Sequence, residues 1–304
     1  MSGKKWVSVV TATYNMGEYV VLAVRSVLNQ TYPHVESIVV DDGSADNTAE
    51  VMRQFEADPR VTFIPLGRNQ GQAAAKNAGL KAAKGEILGF VDADNLWKPE
   101  KLAKQMPLFE RSSRIGVVYS DVEYIDGEGN VLPYISRSYH EGKITDRLLL
   151  HNFVNFNSAL VRRECLEHKG FFDEGIAMGI DWDLWLRIST AYEFAFLNEK
   201  TYAYRIWANQ MSHKKLKRLE CARRILLKFF EQNPGAVSAV VERNAWARLC
   251  ADYGMVHAGY GQNGPALKSY GQALLRQPLF VPAWKGLVKL LVSNFPKNNT
   301  TVRS

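Results

Sequence analysis

Short β-branched runs alternate with amphipathic ones through the first hundred residues, and this alternation limits the fold more than any other feature of the chain. Val7–Thr13 (VSVVTAT), 35–40 (VESIVV), Val61–Pro65 and 87–91 (ILGFV) read as strands. Residues 19–28, 48–55 and the alanine-rich 72–83 read as the helices between them. Pro99 opens a further helix, at a position where a missing N–H costs nothing. A βαβαβαβ order implies a mostly parallel sheet covered by helices on both faces, with right-handed crossovers. Ligands of such sheets bind outside the carboxyl ends of the strands. Three polar clusters fall at those ends: Thr11-Ala12-Thr13-Tyr14-Asn15, Asp41-Asp42-Gly43-Ser44 and Asp92-Ala93-Asp94-Asn95. Each alone is ordinary turn chemistry; together they gather carboxylates on one rim.

Beyond residue 113 the signals are mixed. Strands are expected at 116–125, 156–162, 193–197 and 201–206, and a helix at 182–190. From 214 to 292 the signals are all helical; a helical C-terminal subdomain packed on the sheet is the expectation, and a single stretch that resembles a helix–turn–helix repeat of the tetratricopeptide kind is the alternative. The expected organisation is therefore an α/β unit at 1–213, with halves 1–113 and 114–213, followed by a helical region at 214–304.

At 304 residues, 46% hydrophobic and 23% charged, the chain is globular. No apolar run nears the ~18 residues of a membrane-spanning helix. The polar N-terminus does not read as a secretory leader. Three scattered cysteines (Cys165, Cys221, Cys250) support neither a disulfide framework nor a zinc site. A cytoplasmic location is the simplest expectation. The net charge is +7, and +6 of it lies between His213 and Lys228. Such a block favours an anionic partner. Its apolar positions (Leu216, Leu219, Ile225, Leu226, Phe229, Phe230) allow helix 213–231 to lie on an anionic membrane, a peripheral contact at the inner face of the plasma membrane. The alternative is that this helix packs on its own domain with its cations facing solvent.

The Asp92-x-Asp94 pair offers hard oxygen ligands, which suit Mg²⁺ or Mn²⁺ shared with substrate phosphates. A nucleic-acid module is disfavoured, because the cations sit in one helix while the rim is acidic. A dinucleotide-binding dehydrogenase is disfavoured too, because no GxGxxG follows the first strand.

The segments VSVVTATYN, VDDGSADNT, RNQGQAAAKNAG, ILGFVDAD and DWDLWLR, in this order, resemble the family 2 glycosyltransferases of the GT-A fold. The resemblance spans residue 7 to about 213. It implies a Rossmann-like α/β fold with a C-terminal helical extension and an inverting transferase of the hexosyltransferase class. The implied donor is a nucleotide-sugar, by default a UDP-sugar. The implied acceptor is a hydroxyl of a glycan or lipid-linked glycan in cell-envelope polysaccharide assembly. Thr11, Thr13 and Tyr14 would line the base pocket. Asp42 would accept from the nucleobase, and Asp41 would support that loop or the ribose. Lys76 would lie near the nucleotide. Asp92 would face the ribose, and Asp94 would bind the Mn²⁺ or Mg²⁺ that bridges the diphosphate, with Asp92 and His213 as further ligands. Arg205 would clamp the diphosphate. Asp181 would be the general base, with Asp183 as runner-up and a helix N-cap as its structural alternative. Trp182, Trp185 and Trp207 could stack on a sugar, Trp185 being better placed for the core. Ile180 departs from the family pattern, where Glu often precedes the base. A catalytically inactive scaffold is the competing reading of the same motifs.

Overall fold

The computed structural model describes residues 5–133, 138–206 and 214–293. The chain divides into two compact units, Met1–Met211 and Ser212–Ser304.

The first unit is built on one mixed eight-stranded sheet, ordered β3-β2-β1-β4-β7-β6-β8-β5. Its strands are β1 Val7–Thr13, β2 Val35–Asp41, β3 Val61–Pro65, β4 Ile87–Phe90, β5 Leu96–Trp97, β6 Ile115–Ile125, β7 Leu160–Arg162 and β8 Glu193–Arg205. β1 to β4 are mutually parallel where they pair. β7 then runs antiparallel to both β4 and β6, and β6 runs parallel to β8. The helices are α1 Gly17–Leu28, α2 Thr48–Met52, α3 Gln72–Ala82, α4 Lys101–Gln105, α5 Thr145–Leu148, α6 Arg163–Lys169 and α7 Ile180–Ser189. β1 and β2 are near-continuous apolar runs, as expected for strands covered on both faces. α1 buries Val20, Ala23, Val24 and Val27. This spacing of three and four keeps one helical face against the sheet.

The outer half departs from the sequence expectation in three places. Residues 156–158 form a 3-10 turn before β7 rather than the start of a strand. The expected strands 193–197 and 201–206 are one strand, because the polar residues between them are absorbed as a bulge. Ser120 pairs with Leu197, and the next residue, Asp121, pairs with Lys200. Arg163–Lys169 is a helix that the sequence reading leaves unassigned.

The 3-10 turn is held from below by a buried lysine. Lys101 is 0% exposed; its ammonium donates to the Ser158 carbonyl at 2.6 Å and to Gln105, and lies 4.5 Å from the centre of the Trp97 ring. Burial holds this ammonium well below the ordinary lysine value of 10.5. Below its folded-state pKa, Lys101 is protonated in both states and contributes no pH dependence. Between that pKa and 10.5 the unfolded chain binds the extra proton, so stability rises with pH. Chemical denaturation from neutral to alkaline pH is expected to show this rise in the wild type and a flatter profile in Lys101→Met.

The second unit is helical: α8 Lys215–Gln232, α9 Ala239–Gly259, α10 Asn263–Arg276 and α11 Val281–Ser293. Small residues let α9, α10 and α11 pack closely. Ala247, Ala251, Ala266, Ala273 and Ala283 are buried together around Tyr270. A Cβ on Gly254 would come within 2.6 Å of the Tyr270 ring, and one on Gly286 within 2.3 Å, so the ring fits only between two glycines. α8 buries Ile225, Leu226 and Phe229 and sets Phe230 against Trp246 at 5.9 Å, while its arginines at 218, 223 and 224 stay exposed. Most of its apolar face is thus taken up in packing, leaving the cations outermost. No described helix is long and apolar enough to cross a membrane.

Candidate active site

The carboxyl ends of β1, β2 and β4 form one rim. Thr13 pairs with Asp41, and Val10 pairs with Phe90, so β4 ends three residues short of β1 and residues 91–94 turn across the edge. Beyond β1, Asn15 adopts the left-handed conformation (φ 52°), which Asn tolerates better than most residues. Its amide and side chain bond Ser44 Oγ and the Ala45 amide, both at 2.8 Å, tying the first rim loop to the second. This turn leaves Tyr14 47% exposed at the rim. Thr11 and Thr13 lie beneath it, buried, their hydroxyls without hydrogen-bond partners.

The two aspartates ending β2 do different work. Asp41 accepts from the amide of Ser44 at 3.0 Å and closes its own turn. Asp42 accepts from the amides of Gln70 (2.7 Å) and Gly71 (2.9 Å), the residues leading into α3. Gly43 (φ +77°) makes that approach possible: a Cβ there would lie 2.5 Å from the backbone of Arg68. Both oxygens of Asp42 therefore fix the loop before α3, each retaining acceptor capacity for a further donor.

α3 also delivers Lys76, 3% exposed, whose ammonium reaches Asp92 Oδ1 at 3.1 Å and sits 5.1 Å from the Phe156 ring centre. Asn157 holds Asp92 from the other side. Its Oδ1 accepts from the Asp92 amide at 2.6 Å, and its Nδ2 donates to Asp92 Oδ2 at 2.9 Å. Asp92 is thus pinned at both oxygens, and Asp94, half-buried two residues on, stands at the rim. Arg205, which the sequence reading gives to a diphosphate, is only 4% exposed. Its guanidinium donates to the carbonyls of Asp94 (3.1 Å), Asp126 (3.1 Å) and Gly127 (2.7 Å) and lies over Tyr19. In this arrangement it braces the backbone that carries Asp94.

Asp181 lies in the first turn of α7, but the N-cap position is taken by Gly179, in the left-handed conformation. The cap alternative for Asp181 does not hold. Asn152 Nδ2 donates to Asp181 Oδ2 at 2.7 Å. Asp183 is 3% exposed and ion-paired with Arg187 at 2.9 Å, and Arg187 also bonds the carbonyls of Gly170 and Phe171. That pair staples α7 to the end of α6. Trp182 donates its indole N–H to the Leu148 carbonyl at 2.8 Å, and Trp185 is wholly buried. α7 reaches the rim through a tilted ring contact, with Trp185 6.3 Å from Phe156, the ring beneath Lys76. His213 and Trp207 lie outside the described residues.

The sequence reading misses the two asparagines that orient the candidate carboxylates. Asn152 and Asn157 sit five residues apart in HNFVNFNS, and one short segment holds both Asp181 and Asp92. Three asparagines interspersed with apolar residues was the available signal.

A metal fit is decided by the donors. Among the described residues no cluster of three or more His, Cys, Asp or Glu could hold an ion. Mg²⁺ and Mn²⁺ take one or two protein carboxylates and complete their shell with phosphates and water. Asp94 meets that requirement, with Asp92 behind it committed to Lys76 and Asn157.

The Glycosyl transferase family 2 profile matches residues 8–169, and the chain belongs to this family. It is 30% identical over 213 residues to the chondroitin synthase of Escherichia coli; the match takes in 69% of this chain and 30% of that one, so the chain spans less than a third of that relative's length. The fold matches S. aureus TarS 1-349 in complex with UDP-GlcNAc (TM-score 0.70, 17% identity, 94% of this chain and 89% of that one). It also matches the mannosyltransferase PcManGT of Pyrobaculum calidifontis in complex with GDP-Man and Mn²⁺ (TM-score 0.59, 19% identity, 97% and 89%). These likenesses establish the GT-A-like α/β fold with its C-terminal helices.

Proposed function

We propose that the chain transfers a sugar from a nucleotide-sugar, a UDP-sugar by preference, to a hydroxyl of a glycan or lipid-linked glycan, with inversion. The observation that carries this reading is the placement of Tyr14, Asp42, the Lys76–Asp92–Asn157 group and Asp94 on one strand-end rim. The TarS and chondroitin synthase likenesses support the UDP-sugar and the glycan acceptor.

Tyr14 offers a ring for the base to stack on, and the loop fixed by Asp42 borders the same rim. Asp92, pinned by Lys76 and Asn157, takes the ribose hydroxyls. Asp94 would hold Mn²⁺ or Mg²⁺, which when bound would supply positive charge to offset that of the departing diphosphate. Asp181, oriented by Asn152 and favoured as an anion by the start of α7, removes the proton from the acceptor hydroxyl. Attack from the face opposite the leaving group inverts the anomeric carbon, so an α-linked D-glucosyl or D-galactosyl donor gives a β-linked product. Incubating the full chain with a panel of UDP-, GDP- and dTDP-sugars, Mn²⁺ and oligosaccharide acceptors tests this. Release of the nucleoside diphosphate with a product of inverted anomeric configuration is expected; a product that retains the donor's configuration would overturn the mechanism.

Asn157→Ala removes two hydrogen bonds from Asp92 and is expected to raise the donor KM about tenfold, with a smaller fall in kcat. Asn157→Asp sets a second carboxylate beside Asp92 and should raise KM further. Initial-rate kinetics separates the two constants, and an unchanged donor KM in both variants would remove Asn157 from the account.

A further inference from the structure

We infer that the outer face of α10 and α11 is a docking surface for an anionic lipid bilayer. α11 buries Ala283 and Leu290 against α9 and α10, and carries a second apolar stripe on its opposite side. Val281, Trp284, Val288, Leu291 and Val292 are each 51–65% exposed. At 100° per residue they fall within an arc of about 100°. Leu275 at the end of α10 and Leu279 in the following turn are 87% and 84% exposed. Water-exposed leucines, valines and a tryptophan this dense within residues 275–292 are what marks an interaction site.

Charge decides what covers it. From residue 263 to residue 293 there is no Asp or Glu, while Lys268, Arg276, Lys285 and Lys289 are all exposed. A surface that is apolar at its centre, flanked by cations and free of acids is matched by lipid phosphates over acyl chains. Tryptophan is the side chain best suited to the headgroup boundary. A second copy of the chain would set these cations against their own kind. The basic helix α8 does not serve as well, because most of its apolar face is packed inward. The inference is independent of the reaction at the strand-end rim.

Vesicle sedimentation of the full chain, with tryptophan fluorescence, tests it. Binding is expected to phosphatidylcholine vesicles containing phosphatidylglycerol, and to weaken with salt. It is expected to fall about tenfold for Leu275→Ser combined with Leu291→Ser, and about tenfold for Lys285→Glu combined with Lys289→Glu. Binding should shift the emission to the blue, and Trp284→Phe should remove most of that shift. All substituted side chains are solvent-exposed, so thermal melts of the variants should match the wild type. Lack of binding to anionic vesicles, equal binding to pure phosphatidylcholine, or binding untouched by the leucine pair would overturn the inference. So would a dimer in sedimentation velocity that the leucine pair converts to monomer, which would assign the face to a second copy.

Discussion

Asp181→Asn is expected to lower kcat by about 10³-fold while the donor KM stays within a fewfold of wild type. The substitution keeps the shape of the side chain and removes only its capacity to take a proton. Asn152 donates to Asp181 at 2.7 Å, and its amide can turn to meet an amide as well as a carboxylate. Folding should therefore be unaffected, and the loss should fall on the chemical step. The same substitution at Asp183 is expected to do something else. Asp183 is buried on Arg187, so Asp183→Asn leaves a guanidinium without its counter-charge. Its penalty should appear in thermal stability, several degrees in Tm, before it appears in kcat. Steady-state kinetics with a melt for each variant separates base from staple. If Asp183→Asn lost activity at unchanged stability while Asp181→Asn did not, the two roles would be exchanged.

The second large effect is at Asp94. Asp94→Ala is expected to lower kcat/KM by about 10³-fold and to abolish the response of the rate to added Mn²⁺ or Mg²⁺. Asp92→Ala should also be harmful, but by a different route. It leaves Lys76 buried without its carboxylate and Asn157 Nδ2 without its acceptor, so reduced stability should accompany the loss. Arg205→Ala, which removes the brace under the Asp94 loop, should weaken activity without changing which metal supports it. A metal titration of the rate distinguishes these cases. An Asp94→Ala enzyme that kept a normal Mn²⁺ dependence would place the ion elsewhere.

The inner half of the sheet was legible because local sequence and tertiary need agree there. VSVVTAT and VESIVV are β-branched runs buried on both faces, and Asp, Asn and Gly fall where the strands end. The outer half was less legible. Asn198, Glu199 and Lys200 look like a turn, yet a register shift against β6 carries them inside one long strand. Asn152 and Asn157 look like loop asparagines. Their roles depend on partners 29 and 65 residues away, which no local pattern encodes. Asp181 invited a capping role because Asp is a favoured cap, but Gly179 supplies the left-handed turn that starts the helix. The basic block drew attention to α8, since charge is visible in sequence. Which apolar face is left uncovered is a property of packing, and that face belongs to α10 and α11.

The most direct test of the central claim is calorimetric titration of UDP-, GDP- and dTDP-sugars into the full chain, with and without Mn²⁺, for wild type and Asp94→Ala. The account predicts one-to-one binding of one nucleotide class, a UDP-sugar by preference, that strengthens with Mn²⁺ in the wild type and loses that response in the variant. Equal affinity with and without the ion, or no binding of any nucleotide-sugar, would contradict it.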